Sequence, residues 1–566
     1  MQSKYLLIVL LLACLTSCQD DVLNTVARDA FAEDLVYSDP EQLERLVFTA
    51  YNSTESWGVN KSEWWGRRFN LEAGSFEAKF NFRDLDLFRY RAGWNPNNVG
   101  ILNGKWETYW DYVRMINEFL DRVDDSEAMA IAPDRVNVLK AEMKFLRANL
   151  YAKLIKFYGG VPIMERALGL NDDFNLARNS YEECVDFIVR ELDEAAAVLP
   201  ESRPDAEFGR ATSVAALAVK SRTLLYAASP LHDPANEPSG WMIDYTKPTK
   251  WQDAADAAKA VIDLMGDREL IATPDARAYQ NHFLRPNADI IFARPYGPEF
   301  FDFGTDPNSL WDKTQSPNGY DGWALSSPTH NYAQEYRMAD GRTTGEGGYD
   351  PSHPHENREM RYYANLLFNG AEFRGRNVEY FLSESPETYP HGLDSPEGLG
   401  NTAHSSKTGY NIRKFQDESV EVNGGISGGR PFILYRLAEI YLNYAEAQYH
   451  LGNEDEARRY LNRVAARALV PEITASGPAL LEAIKRERRV ELAFEMHNFF
   501  DERRWMEADR LGFDIQGLRW TKKADGTLSH EVYTVVTRPF HPREYFLPIP
   551  REEIEKAPSM VQNPGY

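Results

Sequence analysis

The sequence of 566 residues predicts a mainly α-helical protein, in which irregular tetratricopeptide-like helix pairs form an α–α superhelix scaffold with a large loop-rich elaboration. Two observations lead to this prediction. Segments with apolar residues at every third or fourth position recur along the chain, often alanine-rich and joined by short turns, which is typical of helical repeats. Residues 230–430, by contrast, are rich in Pro, Gly, Asp and Asn and carry only a few short strand-like runs, such as residues 289–293.

Residues 134–162 predict the helix around which the others are arranged. Apolar and aromatic side chains line one face of it, at Leu139, Met143, Leu146, Leu150, Leu154 and Phe157. Small side chains on the same segment allow another helix to approach closely, at Ala141, Ala148 and Ala152. Gly159-Gly160 then predicts a left-handed C-cap, and Pro162 prevents continuation. A helix this long with a broad apolar face requires partner helices to cover it.

Several other segments carry the pattern expected of those partners. They cover residues 39–50, 106–120, 180–199, 212–228, 249–265, 430–449, 455–467 and 480–506. Ser180 and Glu183 have the spacing of a capping box at the start of the third segment. Residues 433–468 are the best example of a repeat, because two alanine-containing helical patterns flank the short turn Leu451-Gly452-Asn453.

The N-terminus predicts a lipoprotein signal peptide at residues 1–17. Lys4 supplies a positive charge, and residues 5–15 form an apolar run that is too short to span a bilayer permanently. The run ends in Leu15-Thr16-Ser17-Cys18, which resembles a bacterial lipobox. We therefore expect Cys18 to carry acyl chains such as palmitate and residues 18–38 to form a lipidated tether. The following Gln19-Asp20-Asp21 resembles export signals that direct lipoproteins to the cell surface.

Charge and cysteine content exclude some classes of function. The formal net charge is −23, and removing residues 1–17 deletes one lysine and no acid, which leaves about −24. This balance argues against nucleic acid as a partner and weakly disfavours polyanionic ligands. Only Cys184 remains beyond the lipobox, so no internal disulfide is expected, and its helical pattern favours a core position.

We find no convincing catalytic or metal-binding pattern. Residues 425–429 formally match G-x-S-x-G, but a polar run precedes them and a flexible glycine turn explains them better. His353 and His355 lie in a Pro-rich loop without an identifiable third ligand. Acid pairs are too frequent in this chain for one to be selected as a glycosidase dyad. We therefore predict no catalytic residues, no cofactor and no metal.

Two polar regions rich in aromatic residues favour ligand binding instead. Aromatic rings stack on the apolar faces of sugar rings, while amides and guanidinium groups bind hydroxyl groups. The candidates in residues 52–105 are Trp57, Trp64, Trp65, Arg67, Trp94 and Asn97. The candidates near residues 290–325 are Tyr296, Trp311, Tyr320 and Trp323. The alternative for any single ring is that it anchors its loop to the scaffold.

Four sequence stretches together with the lipobox resemble the SusD/RagB family of Bacteroidota surface lipoproteins. They are FLRANLYAKLIKFYGGVPI at 145–163, ILYRLAEIYLNYAEAQYHLGN at 433–453, RERRVELAFEMHNFFDERRW at 486–505, and FLPIPREEI with QNPGY at 546–566. The W…W…V..IN pattern at 106–117 also matches. Residues 495–498 depart from the family pattern, which affects local packing but not the resemblance.

The resemblance implies an all-α fold with four tetratricopeptide-like units and loops over one face. It also implies a non-enzymatic role as a lid over a SusC-like TonB-dependent transporter. Such a protein captures an oligosaccharide or polysaccharide at the outer membrane, facing the extracellular side, and delivers it to the barrel. In the family, the ligand site is commonly built from the two loop regions named above.

This organisation predicts one domain over residues 39–566. The helical scaffold covers about 39–51, 106–270 and 430–510, the loop-rich regions of the ligand face cover about 52–105 and 271–429, and residues 511–566 form a C-terminal segment. Two alternatives stay open. The same architecture could bind peptides in a deeper cleft shared with the barrel, or it could act as a protein-only scaffold, which would expose a large apolar face on the repeats.

Overall fold

The computed structural model describes residues 35–54, 71–81, 94–99, 104–236, 242–297, 307–399, 402–422 and 429–566. The signal peptide, the lipidation site Cys18 and the candidates Trp57, Trp64, Trp65 and Arg67 lie outside these residues. The prediction of a mainly helical chain with a loop-rich elaboration is confirmed.

The main helices of the described residues follow in chain order. They are α1 Pro40–Ala50, α2 Lys105–Arg122, α3 Glu127–Ile131, α4 Pro133–Tyr158, α5 Tyr181–Ala196, α6 Ser213–Ala228, α7 Lys250–Leu264, α8 Ala276–His282, α9 Pro307–Gln315, α10 His330–Ala333, α11 Met360–Asn365, α12 Leu437–His450, α13 Glu454–Arg467, α14 Pro478–Glu491, α15 His497–Arg504, α16 Ala508–Leu511 and α17 Arg551–Lys556.

The scaffold is a succession of helices that pack on their neighbours. Helix α4 lies against α1, α2 and α5, and the series continues through α5–α6, α6–α7 and α7–α12. Helix α12 then packs on both α13 and α14. The predicted helix pair of residues 433–468 corresponds to α12 and α13, joined by a turn in which Gly452 has a φ of 83°. Because each helix buries a face on the next, the apolar stripes predicted from the sequence become one continuous core.

Helix α4 is buried over more of its surface than the apolar face predicted from the sequence. All six predicted apolar positions are buried, but so are the charged residues Glu142, Arg147 and Lys153 on its other faces. These groups are paired: Arg147 Nε donates to Glu191 Oε2 at 2.7 Å, and Lys153 Nζ donates to the carbonyl of Ser53 at 2.8 Å. A buried charge with a hydrogen-bonded partner is tolerated in a core. Residues 141–158 of the helix are therefore buried on nearly all sides rather than on one.

The backbone conformation at the C-terminal end of α4 differs from the predicted left-handed cap. Gly159 has a φ of 76° with a ψ of −148°, a region that is open essentially to glycine alone. Gly160 is required for a different reason, because a Cβ atom there would lie 2.1 Å from the carbonyl oxygen of Asn179. The predicted capping box at the start of α5 is confirmed, since Glu183 N donates to Ser180 Oγ and Ser180 N donates to Glu183 Oε2.

Short strands organise the loop-rich elaboration. They are β1 Ala78–Phe80, β2 Ile290–Arg294, β3 Ser326–Pro328, β4 Leu366–Phe368, β5 Glu372–Phe373, β6 Arg376–Asn377, β7 Leu382–Ser383, β8 Tyr410–Ile412, β9 Phe432–Arg436, β10 Phe513–Lys522 and β11 Leu528–Arg538. Antiparallel pairs form between β1 and β3, β2 and β9, β4 and β8, and β5 and β6. The β10–β11 hairpin joins β7 in a sheet of three strands. Strand β9 leads directly into α12, so the β2–β9 pair connects the elaboration to the scaffold.

Residues 71–81 are anchored by buried carboxyl groups. Glu77 Oε1 accepts from the amide of Phe494 at 2.8 Å, and Glu502 Oε1 accepts from the amide of Phe76 at 2.9 Å. Glu72 is buried in the same segment. Burial raises the pKa of Glu77 to about 7 and that of Glu502 to about 8, and raises the pKa of Glu72 well above its ordinary value. The anchor therefore favours neutral carboxyl groups.

Within the described part of the chain, no helix has the length and apolar character that crossing a membrane requires.

Replacing Gly160 by alanine is expected to destabilise the protein by roughly 2–3 kcal/mol, because the added methyl group overlaps a backbone carbonyl that cannot move without disturbing the start of α5. Urea unfolding followed by circular dichroism measures this. The matched control is Gly345→Ala, at an exposed position where an added Cβ meets nothing within 4 Å. Equal stability of the two variants would contradict the close approach at Gly160.

Glu77→Gln combined with Glu502→Gln is expected to change how stability depends on pH. The folded-state pKa values lie above the ordinary value of 4.5, so the stability from these carboxyl groups is complete below pH 4.5 and is lost as pH rises through 7 to 8. Glutamine keeps the neutral form, so the double variant should gain roughly 6 kcal/mol relative to the wild type between pH 5 and pH 8, with about half from each carboxyl group. Urea unfolding at the two pH values measures this gain.

The control for the pH experiment is Glu472→Gln, which removes an exposed carboxyl group and should leave the difference between the two pH values unchanged. If the double variant follows the wild type at every pH, the carboxyl groups under residues 71–81 are not neutral in the folded state.

Candidate functional site

The two regions predicted to bind ligand are brought side by side by one strand pair. Strand β1, from the first region, pairs with β3 so that Phe80 lies opposite Ser326, three residues beyond Trp323. Asn81 continues this connection. Its backbone N–H donates to the carbonyl of Leu325 at 2.8 Å, and its side-chain Nδ2 donates to Ser327 Oγ at 2.8 Å. The described end of the first region is therefore fixed next to the second.

A tight turn carries the aromatic residues of the second region. Residues 318–320 form a 3₁₀ turn, and Asp321 follows with a left-handed φ of 59°. The turn is closed by the amide of Trp323, which donates to the carbonyl of Lys313 at 2.8 Å. Gly322 is required at this point, since a Cβ there would lie 1.9 Å from the carbonyl oxygen of Ser316. Tyr320 and Trp323 are thus held on a rigid support.

Tyr320 lines an open cleft of about 620 Å³ on this loop-rich face. The other lining residues are Arg277, Asp321, Glu372, Arg374, Gly375, Glu418, Ser419, Val420, Glu421 and Val422. The guanidinium group of Arg376 lies 3.7 Å from the centre of the Tyr320 ring. The Tyr320 hydroxyl donates to the carbonyls of Phe373 and Arg376, at 2.8 Å and 3.1 Å. The ring is therefore fixed before any ligand arrives, which reduces the entropy lost on binding.

Buried ion pairs support the walls of the cleft. Asp312 Oδ1 accepts from the amide of Asp417 at 2.9 Å and from Arg374 at 3.1 Å, which ties the loop of residues 417–422 to the β5–β6 hairpin. In the same loop, Glu418 accepts from Arg277 and Arg413, each at 2.8 Å. Burial would raise the pKa of Glu418, but hydrogen bonds from these arginines hold it below its ordinary value. Glu418 is therefore ionised at neutral pH.

The other candidates of the second region lie in different surroundings. Trp323 is half-buried against Ala73, Phe80 and Leu325, and its ring centre is 5.9 Å from that of His404. Trp311 is 4% exposed, and its Nε1 donates to the carbonyl of Lys414 at 3.2 Å. In this conformation Trp311 has no free face for a sugar, so its position corresponds to the alternative of a loop anchor.

The remaining described candidates do not join the cleft. Trp94 is 1% exposed and belongs to the main core. Asn97 is exposed in a turn whose neighbour Pro96 accepts a hydrogen bond from the amide of Arg551, so this turn lies on the C-terminal segment. Tyr296 is half-buried beside Arg294, whose guanidinium group lies 5.7 Å from its ring centre. Among the described residues, only Tyr320 of the predicted candidates lines the cleft.

Most residues of the cleft were missed by the sequence analysis. Arg277, Arg374 and the acidic residues of the two walls are charged residues in a chain with many charges, without periodicity or a motif to select them. A weak signal was available, because residues 418–422 come just before the glycine-rich run of residues 424–429 in a polar stretch. Their convergence depends on folding of the elaboration over about 145 residues.

The groups considered for other chemistry have structural partners. His355 is buried, and its Nδ1 lies 2.7 Å from the hydroxyl of Tyr362. His353 is exposed and lies 3.3 Å from Glu356. Cys184 is buried, and burial raises the pKa of its thiol to about 12, so a reactive thiolate is not favoured. The described residues contain no group of three or more acidic, histidine or cysteine side chains that could hold a metal ion.

Comparison with known proteins identifies similar sequences along most of the chain. A profile described as the SusD family matches residues 289–566, and one described as starch-binding and associating with the outer membrane matches residues 43–225. A SusD-like protein of Bacteroides ovatus is 25% identical over 523 residues, which cover 89% of this chain and 83% of that protein.

Solved structures show the same fold. A SusD-like protein from Bacteroides fragilis is 27% identical, with a TM-score of 0.75 over 96% of this chain and all of that chain. A SusD-like carbohydrate-binding protein from the same species has a TM-score of 0.72 at 24% identity, over 93% of this chain and all of that chain. A laminarin-binding SusD-like protein has a TM-score of 0.64 at 19% identity, over 94% of this chain and all of that chain. The chain belongs to the SusD/RagB family.

Proposed function

We propose that this protein is a cell-surface lipoprotein that captures an oligosaccharide or polysaccharide and delivers it to a SusC-like TonB-dependent transporter, without catalysing a reaction. The observation that carries the proposal is the cleft on the loop-rich face, in which the rigid ring of Tyr320 lies among hydrogen-bonding side chains. The starch-binding description of the matching family and the carbohydrate ligands named for two fold relatives support this class of ligand.

The cleft has the chemistry that a sugar chain requires. Arg376 covers one face of the Tyr320 ring, so the other face would take the C–H groups of a pyranose, while the exposed carboxylates would accept hydrogen bonds from the hydroxyl groups of the sugar. The volume of about 620 Å³ lies within the range of small-molecule sites, so the cleft accommodates a short stretch of a longer chain. Its open shape would let that chain extend along the turn towards the half-buried ring of Trp323.

The N-terminal sequence supports the proposed location. Acylation at Cys18 would anchor the protein in the outer membrane, and residues 18–38 would act as a tether that leaves the body free to move over a barrel. The Glu418 and Asp312 ion pairs use the acids of the cleft for structure, which fits a binding role better than a catalytic one. The single domain of residues 39–566 would then present its loop-rich face to the ligand.

Tyr320→Ala is expected to weaken binding of a retained neutral polysaccharide about tenfold, because loss of one stacking ring costs roughly 1.4 kcal/mol. Affinity electrophoresis or titration calorimetry of the protein from residue 19 onward, tested against a panel that includes starch and laminarin, measures this. Trp323→Ala should weaken binding by a similar factor.

The matched control is Tyr449→Ala, which removes a half-buried aromatic side chain of the scaffold and should leave binding unchanged. Tight binding of peptides together with no retention of any polysaccharide would contradict the proposal. Unchanged affinity of the Tyr320 and Trp323 variants would place the glycan site elsewhere.

A further inference from the structure

The cleft has a pronounced imbalance between acidic and basic groups. Four carboxylates line it, from Asp321, Glu372, Glu418 and Glu421, against the guanidinium groups of Arg277 and Arg374. The number of charged side chains alone does not determine what the cleft binds. A charged group that is paired with a protein group of opposite charge attracts a ligand less than an unpaired one does.

Both arginines are already committed to carboxylates. Arg277 donates to Glu418 at 2.8 Å and to Gln280 at 3.2 Å. Arg374 donates to Asp312 at 3.1 Å and to the carbonyls of Asp417 and Val420. The side chain of Arg374 is only 10% exposed, so little solvent reaches this group. Turning either arginine towards an anionic ligand would break pairs that hold the walls of the cleft.

The remaining carboxylates are differently placed. Glu372 and Glu421 are exposed, and neither takes part in a hydrogen bond or ion pair with another described side chain. Asp321 is also exposed, at the left-handed position of the turn that carries Tyr320. All three carboxylates are exposed and present negative charge to whatever enters the cleft, although Asp321 also interacts electrostatically with the buried Lys313.

Exposed carboxylates attract neutral sugars and repel anionic ones. A carboxylate accepts strong hydrogen bonds from the hydroxyl groups of a neutral sugar. It repels a uronate or sulfate group, and the described lining residues include no cation that is not already paired with a carboxylate. Such a repulsive element gives specificity by weakening the wrong complex rather than by strengthening the right one.

We propose that this cleft selects neutral glycan chains and rejects uronate- or sulfate-bearing ones, with Asp321, Glu372 and Glu421 as the specificity-determining residues. The inference rests on the proposed glycan-binding function and adds the class of glycan to it. Rejection arises at the cleft itself and does not depend on the overall charge of the protein.

The test uses two forms of one polymer, so that only charge differs. A neutral polysaccharide retained by the wild-type protein is compared with the same polymer after oxidation of a fraction of its primary hydroxyl groups to carboxylates. The wild type should bind the oxidised polymer at least tenfold more weakly in about 50 mM salt, and higher salt should narrow the difference because it screens the repulsion.

Three proteins are measured in parallel. The cleft variant Asp321→Asn, Glu372→Gln, Glu421→Gln should reduce the difference between the polymers to less than threefold. The matched control Glu201→Gln, Glu472→Gln, Glu552→Gln removes the same charge from exposed positions outside the cleft lining and should keep the full difference. Thermal unfolding of all three proteins confirms that each is folded.

The outcomes separate this inference from the proposed function. If the wild type binds both polymers with equal affinity, the proposal that the cleft selects neutral chains is wrong, but the proposed glycan-binding function is supported. If the control variant loses discrimination as the cleft variant does, overall charge rather than the cleft rejects the anion, and the inference is again wrong. If no polysaccharide binds at all, the inference and the proposed function both fail.

Discussion

The rest of the structure depends on the buried carboxylate of Glu491, at the end of α14. It accepts hydrogen bonds from Arg436 at 2.6 Å, from Arg361 at 3.1 Å and from Arg467. Burial alone would raise the pKa of Glu491, but the positive charges of Arg467, Arg436 and Arg361 hold it well below the ordinary value. Three buried guanidinium groups therefore share this anion, and they belong to different parts of the fold: Arg436 to β9, Arg361 to α11 and Arg467 to α13.

This arrangement connects the helical scaffold to the ligand face. Arg361 comes from the elaboration, whereas Arg436 and Arg467 come from the scaffold, so their common partner fixes one relative to the other. The cleft is built on the same principle, because Asp312 and Glu418 hold its walls through arginines, and three other carboxylates remain exposed. In this acidic chain, the arginines of both sites therefore form structural ion pairs. That explains how a strongly acidic protein keeps a stable core and still presents a negatively charged cleft.

The sequence predicted the scaffold well, because helical periodicity is a local property. The apolar face of α4, the capping box at Ser180 and the α12–α13 pair all follow from residues a few positions apart. The residues of the cleft were harder to predict from the sequence. Tyr320 was selected as an aromatic in a polar loop, but Trp94 and Trp311 were selected by the same rule and are buried. Arg277, Glu372 and Glu418 meet across long chain separations, which single-sequence patterns do not record.

The central claim, that a buried ion network positions the ligand face, is tested most directly by hydrogen–deuterium exchange of Glu491→Gln. The account predicts faster exchange in residues 360–366 and 410–416 with weaker glycan binding, while α5 to α7 stay protected. Glu482→Gln, an exposed acid on the same helix, should change neither exchange nor binding. Unchanged exchange and full binding in Glu491→Gln would contradict the claim.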